Sequence, residues 1–390
     1  MKSIRDRLVP TLFLALSVAM SAASAGGFED AQDDYASGRF DRAYAVFSGE
    51  AERGNPDAQL YLGAMYENGQ GVDRDYRLAL QWYERAAVQN NAVACFNLGQ
   101  LYFEGEGISR DTGKALALFE KAASLGLDDA YRQLSSMYLL GKGVPQDDRL
   151  AASWLAKSAE YGNAGAQFNL GKMYFDGRGV PQDYEKAEHW WTSAAAQGHP
   201  KAQYSLGVAY YHGSGLPKNV RKAIPWLAKA AAQGEVDAQM RIGVMNYLGQ
   251  EIALNYTQAI YWFEKAAAQG DERAQFALGA AYEDGRGVAQ DAAQAATWFA
   301  KAADKGYAIA QYRLASLYEA GRGVPQDAIQ AYKWFVLAGK GGYADAARKM
   351  QAIERGMSAG QIAEAGQLAQ RWSKEGGEGT GRLDAAPGAQ

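Results

Sequence analysis

The sequence predicts an all-α solenoid built from helix–turn–helix repeats, and two observations carry this prediction. A period of 36 residues runs through the chain without insertion or deletion, and apolar residues inside each period recur at helical spacing. The periods begin at Ala58, Ala94, Ala130, Ala166, Ala202, Ala238, Ala274 and Ala310, with a divergent ninth at Ala346. A single hairpin of two helices cannot bury its apolar face alone, so neighbouring hairpins are expected to stack on one another.

The first helix of each period is predicted from one apolar stripe and a glycine stop. Between Ala58 and Tyr66 the apolar residues stand at i, i+4, i+7 and i+8, which places them on one side of a helix. Gly69 and Gly71 follow, and glycine readily takes the positive φ that ends a helix. We therefore expect the first helix of each hairpin to end at this glycine pair.

The second helix of each period is predicted from an Asp or Asn that stands before it. Such side chains accept hydrogen bonds from the free N–H groups of a first helical turn. The expected N-caps are Asp75, Asp111, Asp147, Asp183, Asn219, Asn255, Asp291 and Asp327. Eight complete hairpins are thus expected over residues 58–345.

A recurring tryptophan is expected to be the large core residue of each hairpin. The column contains Trp82, Trp154, Trp190, Trp226, Trp262, Trp298 and Trp334, with Leu118 as its one gap. Gly63 and its equivalents, together with the Ala79 column, would let the two helices approach closely enough to receive this ring. The sequence therefore predicts a tryptophan packed between helices in nearly every repeat.

Both ends of the repeat array are predicted to carry caps. Residues 28–54 are predicted to form an N-terminal capping half-repeat, a shortened hairpin in the same phase as the repeats. Residues 346–373 are expected to form C-terminal capping helices, and Ser358 with Gln361 has the spacing of a capping box. The segment 374–390, rich in Gly, Ala and Pro, is expected to be disordered.

Residues 1–25 have the three parts of a cleavable signal peptide. Three basic residues open the segment, an apolar stretch runs from Leu8 to Met20, and small residues lead to Ala25. The alternative, a transmembrane anchor, needs about 20 apolar residues, and this stretch is shorter. A lipid anchor would need a cysteine directly after the signal, where Gly26 stands. We therefore expect a periplasmic protein without membrane insertion or lipid anchor, with an extracellular destination as the alternative.

Composition and charge narrow the classes of partner and chemistry. The chain carries a net charge of −4 and has no basic run, which disfavours nucleic acid and anionic lipid as partners. Cys95 is the single cysteine, so no internal disulfide can form. With one cysteine and three histidines at no fixed spacing, the sequence predicts no metal site. The repeated Gly-x-Gly pairs lack the Gly-Lys-Ser/Thr of a phosphate loop, and we expect no cofactor.

The columns that recur in all eight repeats match a known pattern. In one repeat they are Leu170-Gly171, Tyr174, Gly177-Arg178-Gly179-Val180, Asp183, Ala187 and Trp190. They resemble the Sel-one-like repeat (SLR) family, a branch of the tetratricopeptide superfamily. The resemblance implies a right-handed α-solenoid whose first helices line the concave side, and a role as an adaptor in protein complexes. In the sixth unit Asn246 and Glu251 replace the Tyr and the second Gly, so we expect a distorted turn there.

The geometry implied by this resemblance places the third, fourth, seventh, tenth and eleventh positions of each repeat in the concave groove. At the tenth position, five central repeats carry Phe103, Leu139, Phe175, Tyr211 and Tyr247, and flanking ones carry Glu67, Glu283 and Glu319. These side chains either fill gaps against the next hairpin or form an exposed apolar stripe with acidic ends, and exposed apolar surface of this kind marks contact sites. Polar neighbours that could bond the backbone of a ligand are Asn97, Gln100, Glu104, Asn169, Lys172, Asp176, His212 and Arg241.

These expectations favour a non-enzymatic periplasmic scaffold or adaptor that binds a protein or peptide in its groove. A secreted factor that acts on a host or neighbouring cell has the same sequence requirements and is the first alternative. The second is a β-lactamase-like hydrolase, an activity linked to some secreted members of the family that the chain resembles. The chain contains neither Ser-x-x-Lys nor Lys-Thr-Gly, which disfavours that activity.

Overall fold

The computed structural model describes residues 25–374, and in this range the chain forms 20 helices and no strand. The predicted signal peptide lies outside the described residues except for Ala25, which begins the first helix. The predicted disordered tail lies outside them except for Lys374, which ends the last helix. The chain divides into two compact units, residues 1–194 and 195–390.

The first unit consists of antiparallel helix pairs stacked in chain order. Its helices are α1 (Ala25–Ala36), α2 (Phe40–Glu52), α3 (Pro56–Asn68), α4 (Tyr76–Val88), α5 (Ala92–Glu104), α6 (Thr112–Ser124), α7 (Asp128–Leu140), α8 (Asp148–Glu160), α9 (Ala164–Asp176) and α10 (Tyr184–Ala196). From α1 to α9, each helix packs against the next one along the chain. This stacking of local neighbours is the arrangement of an α-solenoid.

The second unit repeats the same arrangement and ends in two capping helices. Its helices are α11 (Pro200–His212), α12 (Val220–Ala232), α13 (Val236–Leu248), α14 (Tyr256–Ala268), α15 (Glu272–Asp284), α16 (Ala292–Asp304), α17 (Ala308–Ala320), α18 (Ala328–Lys340), α19 (Asp345–Glu354) and α20 (Ala359–Lys374). Consecutive helices pack from α11 to α18, and α18 contacts both α19 and α20. The prediction of an all-α solenoid of 36-residue hairpins is confirmed.

The same hydrogen bonds close each of the eight repeat hairpins. In the hairpin of α9 and α10, Gly177 ends α9 with a φ of 68°, and the N–H of Asp183 donates to the carbonyl oxygen of Tyr174 at 2.9 Å. The carboxylate of Asp183 then accepts from the N–H of Lys186 at 3.0 Å. Each of the eight Asp or Asn residues predicted as N-caps accepts a backbone N–H in this way. That prediction is confirmed.

The large core residue of each hairpin follows the tryptophan column by one position. This buried column contains Tyr83, Phe119, Leu155, Trp191, Leu227, Phe263, Phe299 and Phe335. A β-carbon built on Gly63 would lie 2.5 Å from the ring of Tyr83, and one built on Gly279 would lie 2.5 Å from Phe299. The expectation that the tryptophans fill this place is therefore wrong, because one residue along a helix turns the side chain by about 100°.

The tryptophans instead lie half-buried, and several are covered by a cation. The side-chain cations of Arg85, Lys157, Lys229 and Lys301 stand 4.6, 4.5, 4.6 and 3.9 Å from the ring centres of Trp82, Trp154, Trp226 and Trp298. Trp334 differs, since it is buried, with its ring centroid 6.1 Å from that of Trp372. Cation–π contacts of this kind contribute modestly at exposed sites, about 0.5–1 kcal/mol each.

The turn of the sixth repeat keeps the geometry of the other turns. Glu251 stands where other repeats have glycine, and its φ is 63°. The N–H of Asn255 donates to the carbonyl oxygen of Asn246 at 2.9 Å, as the equivalent residues do elsewhere. The predicted distortion is therefore wrong: the turn holds Glu251 in the left-handed conformation, at a cost of about 1–2 kcal/mol.

Both predicted capping segments are helical. At the N-terminal end, α1 and α2 form a hairpin, and Phe47 of α2 joins Leu62 and Met65 of α3 in one buried cluster. At the C-terminal end, the N–H of Ser358 donates to the Gln361 side-chain oxygen at 2.9 Å, and the N–H of Gln361 donates to the Ser358 hydroxyl at 3.3 Å. This reciprocal pair is the capping box that the sequence predicts at the start of α20.

Candidate protein-binding surface on the first helices

The predicted site residues lie on the first helix of each hairpin. We call the third, fourth, seventh, tenth and eleventh positions of each repeat, counted from its first alanine, the first-helix face. In the first unit it is contributed by α3, α5, α7 and α9. In the second unit it is contributed by α11, α13, α15 and α17.

Two aromatic residues of the first unit are packed and partly exposed at the same time. The ring centroid of Phe103 lies 6.3 Å from that of Phe119, and the Arg110 guanidinium stands 5.4 Å from its ring centre. Phe175 lies 5.2 Å from Tyr184 and 5.1 Å from Trp191. Both residues are half-buried. They pack on the second helix of their own hairpin, so neither expected role, gap filler or fully exposed stripe, describes them alone.

Leu139 differs from these aromatics because it lines an open cleft. The cleft has a volume of about 340 Å³ and lies between α7 and α9. Leu139, Leu140 and Leu155 form its apolar part, and Arg132 and Asn169 are among its polar lining residues. The structure thus brings two predicted site residues, Leu139 and Asn169, to the same place.

Small side chains leave the cleft open. Leu155 occupies the column that holds an aromatic ring in the neighbouring hairpins, and Ser136 and Gly165 add little bulk to the walls. Sequence reasoning did not single out Arg132, Ser136, Leu140 or Leu155. The available signal was at the eleventh position, where Leu140 is apolar and the other first-unit repeats carry Asn68, Glu104 and Asp176.

The polar groups around the cleft differ in whether the chain already satisfies them. Arg132 forms ion pairs with Asp128 at 3.5 Å and with Asp129. Asn169 is exposed and makes no hydrogen bond to another described residue, and Lys172, one turn further along α9, has no ion-pair partner within residues 25–374. Asn169 and Lys172 are therefore available to a ligand.

Two polar positions of the first unit are buried. Asn97 is 1% exposed, and neither polar atom of its amide hydrogen-bonds within the described part of the chain. Glu67 is 4% exposed and accepts the Tyr83 hydroxyl at 2.6 Å. Since α5 packs between α4 and α6, Asn97 is closed to a partner, while Gln100 on the same helix stays half-buried. The structure thus differs from the expectation that Asn97 is accessible.

In the second unit, three predicted residues form one cluster. The ring centroids of Tyr211 and His212 are 5.0 Å apart, and the Arg241 guanidinium stands 5.6 Å from the Tyr211 ring centre. Partial burial lowers the pKa of His212, and the charges of Arg241 and Lys218 lower it further. This cluster therefore presents a half-buried phenol beside a permanent cation and a histidine held towards its neutral form.

Tyr247 lies in the next hairpin and is packed more deeply. Its ring centroid is 5.2 Å from that of Tyr256 and 6.0 Å from that of Phe263. The guanidinium of Arg286 stands 5.8 Å from its ring centre. Burial raises the pKa of Tyr247. Its hydroxyl is neutral near pH 7, as in any tyrosine, and can donate a hydrogen bond.

The carboxylates expected at the end of the stripe are engaged within the second unit. Glu283 lies 3.6 Å from Arg313, and Glu319 lies 2.7 Å from Lys349. Each pair joins the tenth position of one repeat to the fourth position of the next. These acids therefore tie neighbouring hairpins together, and they are not free charges for a partner.

Within residues 25–374 no group of three or more His, Cys, Asp or Glu side chains is arranged to hold a metal ion. No helix in this range combines the length and apolarity needed to cross a membrane. Cys95 is buried, and burial raises the pKa of its thiol.

Comparison with known proteins places the chain in a repeat family. The Sel1 repeat model matches eight consecutive segments, residues 56–91, 92–127, 128–163, 164–199, 200–235, 236–271, 272–307 and 308–343. The chain is 32% identical to a Sel1 repeat protein from Oxalobacter formigenes, with a TM-score of 0.67 over 79% of this chain and 89% of that chain.

A second solved structure gives the same result. It is c5321, a protective antigen present in uropathogenic Escherichia coli strains that displays an SLR fold. It is 32% identical, with a TM-score of 0.55 over 90% of this chain and 84% of that chain. A search of curated proteins gave no significant match. The chain belongs to the Sel1 repeat family, whose members are usually non-enzymatic scaffolds for protein–protein interaction.

Proposed function

We propose that this protein is a periplasmic scaffold that binds an extended segment of a partner protein on its first-helix face. The cleft between α7 and α9 is the observation that carries the proposal. It combines an apolar wall with Asn169, and Lys172 follows Asn169 one turn along α9; neither side chain has a polar partner among residues 25–374. Apolar contacts supply binding energy, and an amide can bond the N–H and C=O groups of an extended backbone.

The cluster of Tyr211, His212 and Arg241 supports the same function in the second unit. Tyrosine and arginine are enriched among the residues that dominate binding energy at protein interfaces. Here the two side chains already contact each other, with the Arg241 guanidinium 5.6 Å from the Tyr211 ring centre. Each unit therefore has its own candidate contact on the first-helix face.

The periplasmic location is supported by the pattern of residues 1–25. A basic start, an apolar stretch and small residues before Gly26 fit export and cleavage. Fractionation of cells that express the full chain tests this. We expect the shortened mature protein in the periplasm, and uncleaved protein in the cytoplasm would overturn the location. Mature protein in the culture medium would favour the secreted factor.

Site-specific photo-crosslinking in living cells tests the binding face. A benzoyl-phenylalanine at Lys172 or at His212 should yield adducts with a partner protein. The same probe at Ser153 or Arg221, which are exposed on second helices, serves as the matched control. Adducts of equal yield at all four positions, or none at Lys172 and His212, would contradict the proposal.

A further inference from the structure

The cleft between α7 and α9 has an apolar wall whose leucines range from buried to exposed. Leu155 at its base is 3% exposed, Leu139 is half-buried, and Leu140 is 60% exposed. Accessible apolar surface has a free-energy cost in water that an apolar occupant removes. The wall therefore favours an occupant with an aliphatic side chain.

The size of the cleft limits the occupant. Its volume of about 340 Å³ stands at the lower end of the range for small-molecule pockets, which is about 300–1,000 Å³. The cleft is also open to solvent along one side, between two helices. One large side chain with the backbone on either side of it fits this space better than a whole cofactor does.

Polar groups at the rim suit a peptide backbone. Asn169 offers one carbonyl oxygen and two N–H donors, and Ser136 offers a hydroxyl. Neither side chain hydrogen-bonds to any residue in the described range. By contrast, Asn163 is already satisfied, since it donates to Asp128 at 2.7 Å and accepts from Ala166 at 2.9 Å. Asn169 and Ser136 are thus the rim groups open to a backbone.

The charged side chains near the cleft determine which residue of the partner is favoured beside its apolar side chain. Asp128 and Asp129 neutralise Arg132. Lys172, one turn beyond Asn169 on α9, has no such partner among the described residues. Lys172 lies about 4.5 Å along the helix axis from Asn169, a distance that one or two residues of an extended peptide span.

We infer that the cleft binds an extended partner segment whose leucine-sized side chain enters between α7 and α9 and whose neighbouring carboxylate meets Lys172. This inference rests on the proposed scaffold function and adds the chemistry of the partner. The predicted occupant is a stretch of polypeptide in which an aliphatic residue stands beside an acidic one.

Disulfide tethering of the full chain tests the inference with defined probes. The variant Ser136→Cys places a thiol in the cleft, while the native Cys95 is buried and does not compete. Three peptides serve as probes. The first has the sequence cysteine–glycine–leucine–aspartate, the second has serine in place of leucine, and the third has asparagine in place of aspartate. The concentration of reductant that releases half of each bound probe is measured.

We expect the leucine–aspartate probe to need about tenfold more reductant than the serine–aspartate probe, from burial of the leucine side chain. The leucine–aspartate probe should need about threefold more reductant than the leucine–asparagine probe, because one exposed ion pair contributes little binding energy. The added change Lys172→Gln should remove the preference for aspartate and keep the preference for leucine. Leu140→Ser should weaken the preference for leucine and keep the preference for aspartate.

Two controls separate the cleft from the rest of the surface. Lys157→Gln removes an equal charge from α8, where Lys157 covers Trp154, and should leave both preferences unchanged. A thiol introduced by Ser153→Cys on the same helix should hold all three probes equally. Equal retention at Ser136→Cys, or the same preferences at Ser153→Cys, would overturn the inference. If photo-crosslinks at His212 in the second unit persisted alongside equal retention, the scaffold function would stand without this cleft.

Discussion

Gly171 of α9 stands so close to Trp191 of α10 that a β-carbon at residue 171 would lie 2.6 Å from the Cδ1 atom of the indole. The same carbon would lie 3.2 Å from the carbonyl oxygen of Ala187. Both neighbours belong to the second helix of the hairpin, and the indole is 4% exposed. The missing side chain at Gly171 therefore sets the distance between the two helices.

Replacing Gly171 by alanine should lower the free energy of unfolding by about 1–3 kcal/mol, because an added methyl group overpacks this contact. The gain from alanine's higher helix propensity, about 1 kcal/mol, only partly offsets this. Gly49→Ala is the matched control: Gly49 is exposed on α2, and nothing lies within 4 Å of its added β-carbon. That variant should be stabilised. Urea unfolding measures both, and equal stability of the two variants would contradict the prediction.

Adjacent aromatic residues of α16 should differ in their importance for stability. Phe299 is fully buried, whereas Trp298 is half-buried beneath the ammonium of Lys301. Phe299→Ala should lower the free energy of unfolding by about 3–5 kcal/mol, since it leaves a cavity between the helices. Trp298→Ala should cost about 1–2 kcal/mol. Urea unfolding of the two variants gives the comparison, and a larger loss for Trp298→Ala would restore the tryptophan as the core residue.

The hairpins and their caps were predictable because local chemistry determines them. An Asp such as Asp183 can satisfy the first N–H groups of a helix whatever packs beside it. Ser358 and Gln361 satisfy one another within four residues of chain. The 36-residue spacing then fixes the order of stacking, so the solenoid follows from the sequence alone.

The details of packing were less predictable because they depend on several helices at once. The tryptophan column and the buried column after it are both largely aromatic, and the sequence does not show which one faces glycine. The cleft exists because Leu155, Ser136 and Gly165 come from three different helices and together leave a gap. Asn97 is buried by neighbouring helices that a linear pattern does not describe. Features of this kind can be recognised only once the positions of the side chains are known.

Buried glutamines join successive hairpins in a repeated way. In the sixth repeat, Gln239 donates to the carbonyl oxygen of Ala231 at 3.1 Å. Gln269 donates to the Gln239 side-chain oxygen at 3.0 Å and to the carbonyl oxygen of Gly234 at 3.0 Å. In the seventh repeat, lysine takes the place of this second glutamine: Lys305 donates to the carbonyl oxygen of Gly270. The buried side-chain oxygen of Gln275 is left without a hydrogen-bond partner in the described structure.

Lys305→Gln should therefore stabilise the protein. The new amide can donate to both Gly270 and Gln275, as Gln269 does one repeat earlier, and a net hydrogen bond contributes about 0.5–1.5 kcal/mol. Lys305→Met keeps a long side chain without a donor and should be less stable than the native chain. Urea unfolding compares the three proteins. A glutamine variant no more stable than the methionine variant would show that the buried oxygen is satisfied in another way.

The stability of the second unit should fall in mild acid because a histidine caps α11. The ring nitrogen Nδ1 of His199 accepts the N–H of Ala202 at 3.2 Å, which requires that nitrogen to carry no proton. Burial lowers the pKa of His199 below its ordinary value near 6.5, and the charge of Lys201 lowers it further. A base with a depressed pKa in the folded state contributes stability that is complete above its unfolded pKa. That stability is lost as the pH falls through the folded value.

The variant His199→Asn isolates this effect. Asn55, Asn91 and Asn163 cap the equivalent helices of the first unit, so the variant keeps a cap that does not titrate. Between about pH 7.5 and pH 5, the native chain should lose about 1 kcal/mol more of its unfolding free energy than the variant does, the typical value of a cap. His212, whose pKa is also lowered, is present in both proteins, so its contribution cancels in the difference. Equal losses in the two proteins would mean that the α11 cap survives protonation of His199.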